Sequence, residues 1–176
     1  SLKSVPDGLF ANNHKVTNFQ SAFSKTAIQS VPADLFAGCG KVTTFMSCFT
    51  GCSELQSVPA ELFKSSGAFT TVTKTAFNNI FKDCTLLTEV PAGLFDGFTL
   101  VTAFNDAFNG CASLTTLPAG LFATNTAVTS FTNVFKGCTS LKSIPEGVLG
   151  GLSKVTSFSG LFAGCTGLEE IGANII

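Results

Sequence analysis

The chain lacks several residue types that particular functions need. Its 176 residues include no Arg, no Trp and no Tyr, and a single His. Without Arg there is no forked guanidinium for phosphate groups, so nucleic acid is not an expected partner. A Ser-His-Asp or Cys-His arrangement would depend on His14, which lies in a polar turn beside Asn12 and Asn13. The sequence also carries no phosphate-binding Gly loop and no Asp-rich calcium loop, so we predict no enzyme, cofactor or metal site.

Charge and long hydrophobic runs are scarce as well. Charged residues make up 12% of the chain, the formal net charge is −1, and no apolar run approaches the roughly 20 residues of a membrane helix. Phe is abundant instead, with 19 residues. Because Phe has no polar tip, these side chains are predicted to fill a dry interior. We expect no membrane insertion by this segment.

A repeat of about 27 residues organises the chain. Successive prolines are separated by 26, 27, 32, 27 and 27 residues. They are Pro6, Pro32, Pro59, Pro91, Pro118 and Pro145, and Gly172 takes the next place. A period in the twenties is typical of solenoids, in which each unit packs only on its neighbours. We predict one α/β solenoid domain over 1–176, a right-handed array of about six 27-residue coils and a fragment of a longer protein.

Each repeat divides into two halves. The Pro half reads Leu-x-x-Ile/Val-Pro-x-x-Leu-Phe, and the Val half reads Val-Thr-x-Phe-x-x-x-Phe-x-x-Cys. Short β-prone runs predict a strand in each half. The Pro begins one helical turn, and the spacing of Phe131, Val134, Phe135 and Cys138 predicts another with one apolar face. The residue before the Cys should close that turn in the left-handed conformation; it is Gly51, Gly110, Gly137 or Gly164, and Asp83 in the third repeat.

The third repeat carries five additional residues. A single-gap alignment places 69–72 in the Val-Thr-x-Phe slot and makes 73–77 the insertion. A longer helix is then predicted, with one face formed by Val72, Ala76, Phe77, Ile80, Phe81 and Cys84. The insertion is a candidate contact through its polar residues Lys64, Ser65, Ser66, Lys74 and Thr75.

These columns resemble the BspA-like leucine-rich repeat proteins of bacterial surfaces, in particular their roughly 26-residue class. Val128-Thr129-Ser130-Phe131, followed by Phe135 and Cys138, corresponds to that family's Val-Thr, Met, Phe and small-residue positions. The Pro column and the absence of Trp depart from the class. The resemblance implies a secreted or cell-surface bacterial protein with a role in adhesion, and it implies no catalytic residues.

Cysteine recurs at one position of successive repeats. This column contains Cys52, Cys84, Cys111, Cys138 and Cys165. Side chains stacked in parallel do not present the twist that a disulfide requires, so we predict a buried ladder of reduced thiols. Disulfides and metal binding are the alternatives. Outside the column, Cys39 and Cys48 are either bridged to each other or free core thiols.

Two polar columns are candidate binding surfaces. The threonine column of the Val half is Thr17, Thr43, Thr70, Thr102, Thr129 and Thr156. Outward Thr could bind ice or a polysaccharide, although the residues next to it are mixed and β-propensity is the simpler explanation. The Pro-half strip is Lys3, Gln29, Gln56, Thr88, Thr115, Lys142 and Glu169, beside Ser4, Ser30, Ser57, Glu89, Thr116, Ser143 and Glu170. Solenoids bind through such strips, but without Tyr, Trp and Arg we expect weak or multivalent contacts.

Together these features predict a non-enzymatic adhesion module at the bacterial cell surface. Its expected partner is a host or microbial surface protein or glycan. The alternative is a structural spacer with no ligand of its own. Solenoids normally carry polar capping units, and the chain shows none, so end-to-end self-association through the uncapped ends is a further expectation.

Overall fold

The computed structural model describes residues 1–64, 71–173 and 175, and these residues form a stack of coils. Two short strands, β1 (Ser143–Ile144) and β2 (Glu170–Ile171), pair in parallel, with Ser143 opposite Glu170. Four isolated parallel bridges join other coils: Asn18 with Thr44, Glu89 with Thr116, Ala103 with Ser130, and Ser130 with Ser157. Each pair joins residues 26 or 27 apart, so the coils that these pairs join stack on equivalent residues of one another.

The repeats can be divided by their two halves, which we number by coil. The Pro halves of coils 1 to 7 comprise residues 1–13, 27–39, 53–64, 85–98, 112–125, 139–152 and 166–173. The Val halves of coils 1 to 6 comprise residues 14–26, 40–52, 71–84, 99–111, 126–138 and 153–165.

The Val half turns through overlapping β-turns, and the described residues contain no α-helix. In coil 2 the amides of Cys48, Thr50 and Cys52 donate three residues back within the coil, to Phe45, Ser47 and Phe49, at 2.9, 3.0 and 3.1 Å. The alternate amides of Phe45, Ser47, Phe49 and Gly51 donate instead to the carbonyls of Ala76, Asn78, Ile80 and Lys82 in coil 3. An α-helix would keep all of these bonds within one coil. The predicted helical turn is therefore replaced by hydrogen bonds between coils.

The tight turns still bury the side chains whose spacing predicted a helix. Phe131, Val134, Phe135 and Cys138 are all completely buried. A chain of tight turns and a helix both bring such residues to one side, so the apolar spacing does not distinguish them. The inward direction of these side chains was predicted correctly, and the local backbone was not.

Left-handed residues occur at two positions of each Val half. Positive φ is found at all five predicted positions before the column Cys: Gly51, Asp83, Gly110, Gly137 and Gly164. A second left-handed column, which the repeat did not predict, follows the first Phe of the half by two residues. It consists of Ser21, Ser47, Asn79, Asp106, Asn133 and Gly160, with φ between 56° and 64°. Short polar residues tolerate this conformation better than other non-Gly residues, which accounts for the Asn and Asp in the column.

Stacked Phe rings form most of the core. The Val halves supply two columns: Phe19, Phe45, Phe77, Phe104, Phe131 and Phe158, and Phe23, Phe49, Phe81, Phe108, Phe135 and Phe162. The Pro halves supply a third: Phe10, Phe36, Phe63, Phe95 and Phe122. Adjacent rings of one column lie 5.6–6.4 Å apart with their planes within 17°. Across the core, Phe122 lies 4.8 Å from Phe104. Because the halves pack on each other through these rings, their outer surfaces point in opposite directions.

Coil 3 shows that the single-gap alignment was wrong. Phe77 stacks 5.8 Å from both Phe45 and Phe104, so Phe77 and not Val72 fills the first Phe position. The Thr73 amide donates to the Thr43 carbonyl at 2.7 Å, but the Thr102 amide donates to the Lys74 carbonyl at 2.8 Å. Lys74 and Thr75 are thus two extra residues at a bulge.

The other three extra residues of coil 3 lie between Phe63 and Val72, an interval of nine residues where coil 2 has six between Phe36 and Val42. The predicted longer helix is absent from the described part of coil 3, although its six apolar residues are all buried. Of the residues predicted there, Ser65, Ser66 and Thr70 lie outside the described residues.

Candidate binding surfaces

The column cysteines are part of the internal packing. Each thiol donates to the carbonyl of a Phe in the preceding coil. The Sγ to O distances are 3.0 Å for Cys52 to Phe23, 3.2 Å for Cys84 to Phe49, 3.2 Å for Cys111 to Phe81, 3.3 Å for Cys138 to Phe108 and 2.9 Å for Cys165 to Phe135. In coil 1 this position is Thr26, whose hydroxyl donates to the Phe23 carbonyl at 2.8 Å. The Thr26 hydroxyl thus bonds within its own coil, whereas the column thiols bond to the preceding coil.

All seven cysteines are free, and burial raises the pKa of every one of these thiols. Desolvation raises the pKa of Cys138 to about 12. The thiolate is the nucleophile and the metal ligand, so a thiol with so high a pKa is inert at neutral pH. Within the described ranges, no group of three His, Cys, Asp or Glu side chains is placed to hold a metal ion.

His14 lies on the surface, where its Nδ1 is 3.0 Å from the Gly38 carbonyl oxygen. This backbone contact is the one hydrogen bond of its side chain among the described residues. No acidic or nucleophilic side chain of the described residues hydrogen-bonds the ring. The arrangement provides no acid–base pair of the kind that catalysis needs.

Four hydroxyls of the threonine column donate to the backbone of the preceding coil. Thr43 donates to the Thr17 carbonyl at 2.9 Å, Thr129 to the Thr102 carbonyl at 3.3 Å, and Thr156 to the Thr129 carbonyl at 3.2 Å. Thr102 donates to the Lys74 carbonyl at 3.4 Å. In coil 3 the column position belongs to Thr73, as the hydrogen bond of its amide shows. In these four threonines the hydroxyl proton is directed at the protein, while the oxygen lone pairs remain available.

The residues that follow the threonine column do not form a second outward row. Asn18 is exposed, but Ala103 is only 7% exposed, and Thr44, Ser130 and Ser157 are half-buried. Thr71, predicted to belong to this row, instead precedes Val72, and its hydroxyl donates to the Val42 carbonyl at 3.1 Å. The threonine column is therefore a single row of outward side chains.

The Pro-half strip is exposed in every coil. All of its seven first-column residues, from Lys3 to Glu169, are exposed, as are their neighbours except the half-buried Ser143. The backbone beneath is continuous: the amides of Gln29, Gln56, Thr88, Thr115, Lys142 and Glu169 each donate to the equivalent carbonyl of the preceding coil, at 2.9–3.4 Å.

The side chains of the Pro-half strip differ in whether they form hydrogen bonds or ion pairs within the protein. Thr88 and Thr115 donate to backbone carbonyls at 3.3 and 3.2 Å, and Lys142 pairs with Glu169 at 3.2 Å. Gln29 and Gln56 have side chains without a hydrogen bond to any described residue. These two amides are therefore available to a ligand, as is the exposed Lys3 ammonium group.

An amide-rich surface on the Val-half turns was not predicted. The Asn105 Oδ1 accepts from the Ser130 hydroxyl at 2.9 Å and from the Thr132 amide at 3.2 Å, and the Asn78 Oδ1 accepts from the Asn105 amide at 3.0 Å. The scattered Asn residues after the first Phe were the available signal. This signal could be interpreted only once the left-handed turns were known, because a helix would have pointed these Asn side chains in other directions.

One buried polar residue was also missed. Asn125 is completely buried, and its Nδ2 donates to the carbonyls of Phe95 and Phe98 at 2.9 and 3.3 Å. Its Oδ1 has no hydrogen-bond partner among the described residues. In coil 2 the same position is Cys39, whose Sγ lies 3.6 Å from the Phe10 carbonyl oxygen. Both side chains supply a donor to the preceding coil.

Comparison with known proteins identifies the fold only. No family model matches the chain, and no curated protein matches it. Among solved structures, a chain of the Drosophila Toll–Spatzle complex in its glycosylated form is 22% identical, and the match covers 96% of this chain and 22% of that one with a TM-score of 0.57. This likeness shows a leucine-rich repeat solenoid.

Two bacterial leucine-rich repeat structures also match. A protein from Bacteroides ovatus is 22% identical over 97% of this chain and 41% of that one, with a TM-score of 0.43. A leucine-rich cell surface protein from Faecalibacterium prausnitzii is 16% identical over 98% of this chain and 70% of that one, with a TM-score of 0.27. The chain thus spans less than half of the Bacteroides and Drosophila chains. The described residues contain no helix long and apolar enough to cross a membrane.

Proposed function

We propose that the chain is a non-enzymatic recognition module of a bacterial cell-surface protein and that it binds a protein or glycan along the Pro-half strip. The observation that carries this proposal is the uninterrupted exposure of the strip over seven coils. We place the array in the BspA-like class, with its coils wound right-handed. A catalytic role has no support, because six of the seven thiols are buried and the one His side chain hydrogen-bonds only a backbone carbonyl among the described residues.

The geometry of the strip suits a long ligand. Neighbouring strands lie about 4.8 Å apart, so seven coils present similar polar groups over roughly 30 Å. Each contact is weak, since none of the side chains is of the kind that dominates binding hot spots. Repetition along one line compensates through multivalency. The Phe core holds the backbone rigid, which lowers the entropy lost on binding.

The likeness to a chain from the Toll–Spatzle complex supports a protein partner, because that structure is itself a protein complex. A glycan partner is supported by the uncommitted amides of Gln29 and Gln56, which donate and accept hydrogen bonds as sugar hydroxyls do.

A binding screen against surface proteins and a glycan array tests the proposal, followed by affinity measurements on the ligand found. Replacing Gln29→Glu and Gln56→Glu should weaken binding about tenfold, since each change replaces an amide donor by a charge. Ala119→Glu with Ala123→Glu adds the same charge at exposed positions off the strip and is the matched control. Equal losses in the two variants would refute the strip as the binding surface. An absence of any ligand at micromolar concentration would favour the spacer.

A further inference from the structure

The charges of the chain are separated between the two sides of the solenoid. The Val halves contain seven Lys and two carboxylates, a net charge of +5, and the Pro halves contain three Lys and nine carboxylates, a net charge of −6. Together these give the −1 of the whole chain. The Val-half residues are Lys15, Lys25, Lys41, Lys74, Lys82, Lys136, Lys154, Asp83 and Asp106. Because the outer surfaces of the halves point in opposite directions, one side of the rod is basic and the other acidic.

The basic side has its most concentrated group on coils 1 to 3. Lys15, Lys41 and Lys74 are exposed and flank the column residues Thr17, Thr43 and Thr73. We call these six residues the lysine–threonine face. Consecutive coils are about 4.8 Å apart, so the three ammonium groups stem from a segment roughly 10 Å long.

No carboxylate neutralises this face. The Val halves of coils 1 and 2 contain neither Asp nor Glu. Asp83, the one acidic residue of the third Val half, lies at the far end of its turn, against Gly110 of coil 4. Asp106 is engaged by Lys82 at 3.6 Å. Among the described residues, no ion pair involves Lys15, Lys41 or Lys74, and the sequence of residues 65–70 contains no charged residue.

The threonine hydroxyls indicate which groups, besides negative charge, a ligand of this face should carry. Since the Thr43 hydroxyl donates to the Thr17 carbonyl, its oxygen presents lone pairs to solvent and acts as an acceptor there. A ligand that matches the face must supply both negative charge and hydroxyl donors along a line.

We infer that the lysine–threonine face binds an anionic polysaccharide, with its acidic groups at the lysines and its sugar hydroxyls at the threonine oxygens. This second surface is separate from the Pro-half strip and does not rest on the function proposed for that strip. A nucleic acid fits less well, because the described surface has no exposed aromatic side chain on which bases could stack, and Arg is absent from the chain.

The test uses the chain with three fluorescent probes: polygalacturonate, neutral dextran of similar length, and a single-stranded DNA oligonucleotide. Polygalacturonate should bind, and its affinity should fall about tenfold between about 50 and about 200 mM salt, as expected for a few counterions released. Dextran should show no measurable binding. Failure of polygalacturonate to bind, or dextran binding as tightly, would overturn the inference, and tighter binding of the DNA would reassign the face to nucleic acid.

Matched variants locate the site. Lys15→Gln with Lys41→Gln should weaken polygalacturonate binding about tenfold. Lys64→Gln with Lys136→Gln removes the same charge from exposed positions off the face and should change it less than about twofold. Equal losses would show attraction by overall charge alone and contradict a site. Thermal melting followed by circular dichroism verifies that each variant is folded, and the Gln29 and Gln56 variants should bind polygalacturonate normally.

Discussion

The Sγ of Cys84 lies 3.2 Å from the carbonyl oxygen of Phe49 in the preceding coil, and the thiol donates to it. That oxygen also accepts the amide of Cys52 at 3.1 Å. The thiol therefore joins two coils at a carbonyl oxygen that already accepts one hydrogen bond within its own turn. The repetition of this contact in coils 2 to 6 explains why the column needs a small donor and not simply a small apolar residue.

Substitutions at Cys84 should separate its packing from its hydrogen bond. Cys84→Ala removes both and should lower the free energy of unfolding by roughly 1–3 kcal/mol. Cys84→Val fills the site, with one methyl group more than the thiol has, but supplies no donor, and it should cost about 1 kcal/mol. Urea denaturation measures both. A Val variant as stable as the parent chain would show that the thiol contributes no hydrogen-bond energy.

Stability should fall as the solution becomes strongly alkaline. Burial raises the pKa of Cys138 from 9.0 to about 12, so between these values the unfolded chain releases a proton that the folded chain keeps. Deprotonation then favours the unfolded state, and the free energy of unfolding decreases as the pH rises through this window. Urea unfolding at about pH 8 and about pH 10 measures the slope. Cys138→Ala should reduce it, and an unchanged slope would contradict the assignment.

Substitutions of Asn125 should separate the stabilisation by its Nδ2 donor from the cost of burying its unpartnered Oδ1. Asn125→Cys keeps a donor toward the Phe95 carbonyl, as Cys39 does for Phe10, and removes the buried Oδ1, so it should stabilise the fold by about 1 kcal/mol. Asn125→Asp introduces a buried carboxyl group and should destabilise it by about 3 kcal/mol at neutral pH. Thermal unfolding compares the two. If both variants were equally destabilised, the site would require the amide itself.

Adding a side chain at the left-handed position before the column Cys should lower the stability of the fold. Gly137 has φ of 72°, and Gly137→Ala should cost about 1–2 kcal/mol because a Cβ clashes with the backbone in this conformation. Gly40 is the control, since its φ is not positive and a Cβ there meets nothing within 4 Å. Gly40→Ala should be neutral within about 0.5 kcal/mol in the same denaturation assay. Equal costs would argue against conformational strain at Gly137.

The candidate surfaces were predictable to different degrees. The Pro-half strip could be read from the two polar residues between the Leu and the Ile or Val of each Pro half, because polar side chains between buried apolar ones are expected at the surface whatever the exact backbone. The lysine–threonine face could not. Lys74 reaches it only through the bulge in coil 3, and the single-gap alignment had assigned Thr70 to the column that Thr73 occupies.

The period, the inward direction of the Phe and Cys columns and the left-handed Gly positions follow from the sequence, because residue size, polarity and φ preference are local properties. The choice of tight turns over helices does not follow from it. That choice depends on whether the amides of Phe45 and Ser47 donate within their own coil or to the next coil. The carbonyl groups of the next coil are in reach only when the coils are stacked. The separation of charge likewise exists only once Pro and Val halves lie on opposite sides of a shared core, since along the chain the two signs alternate.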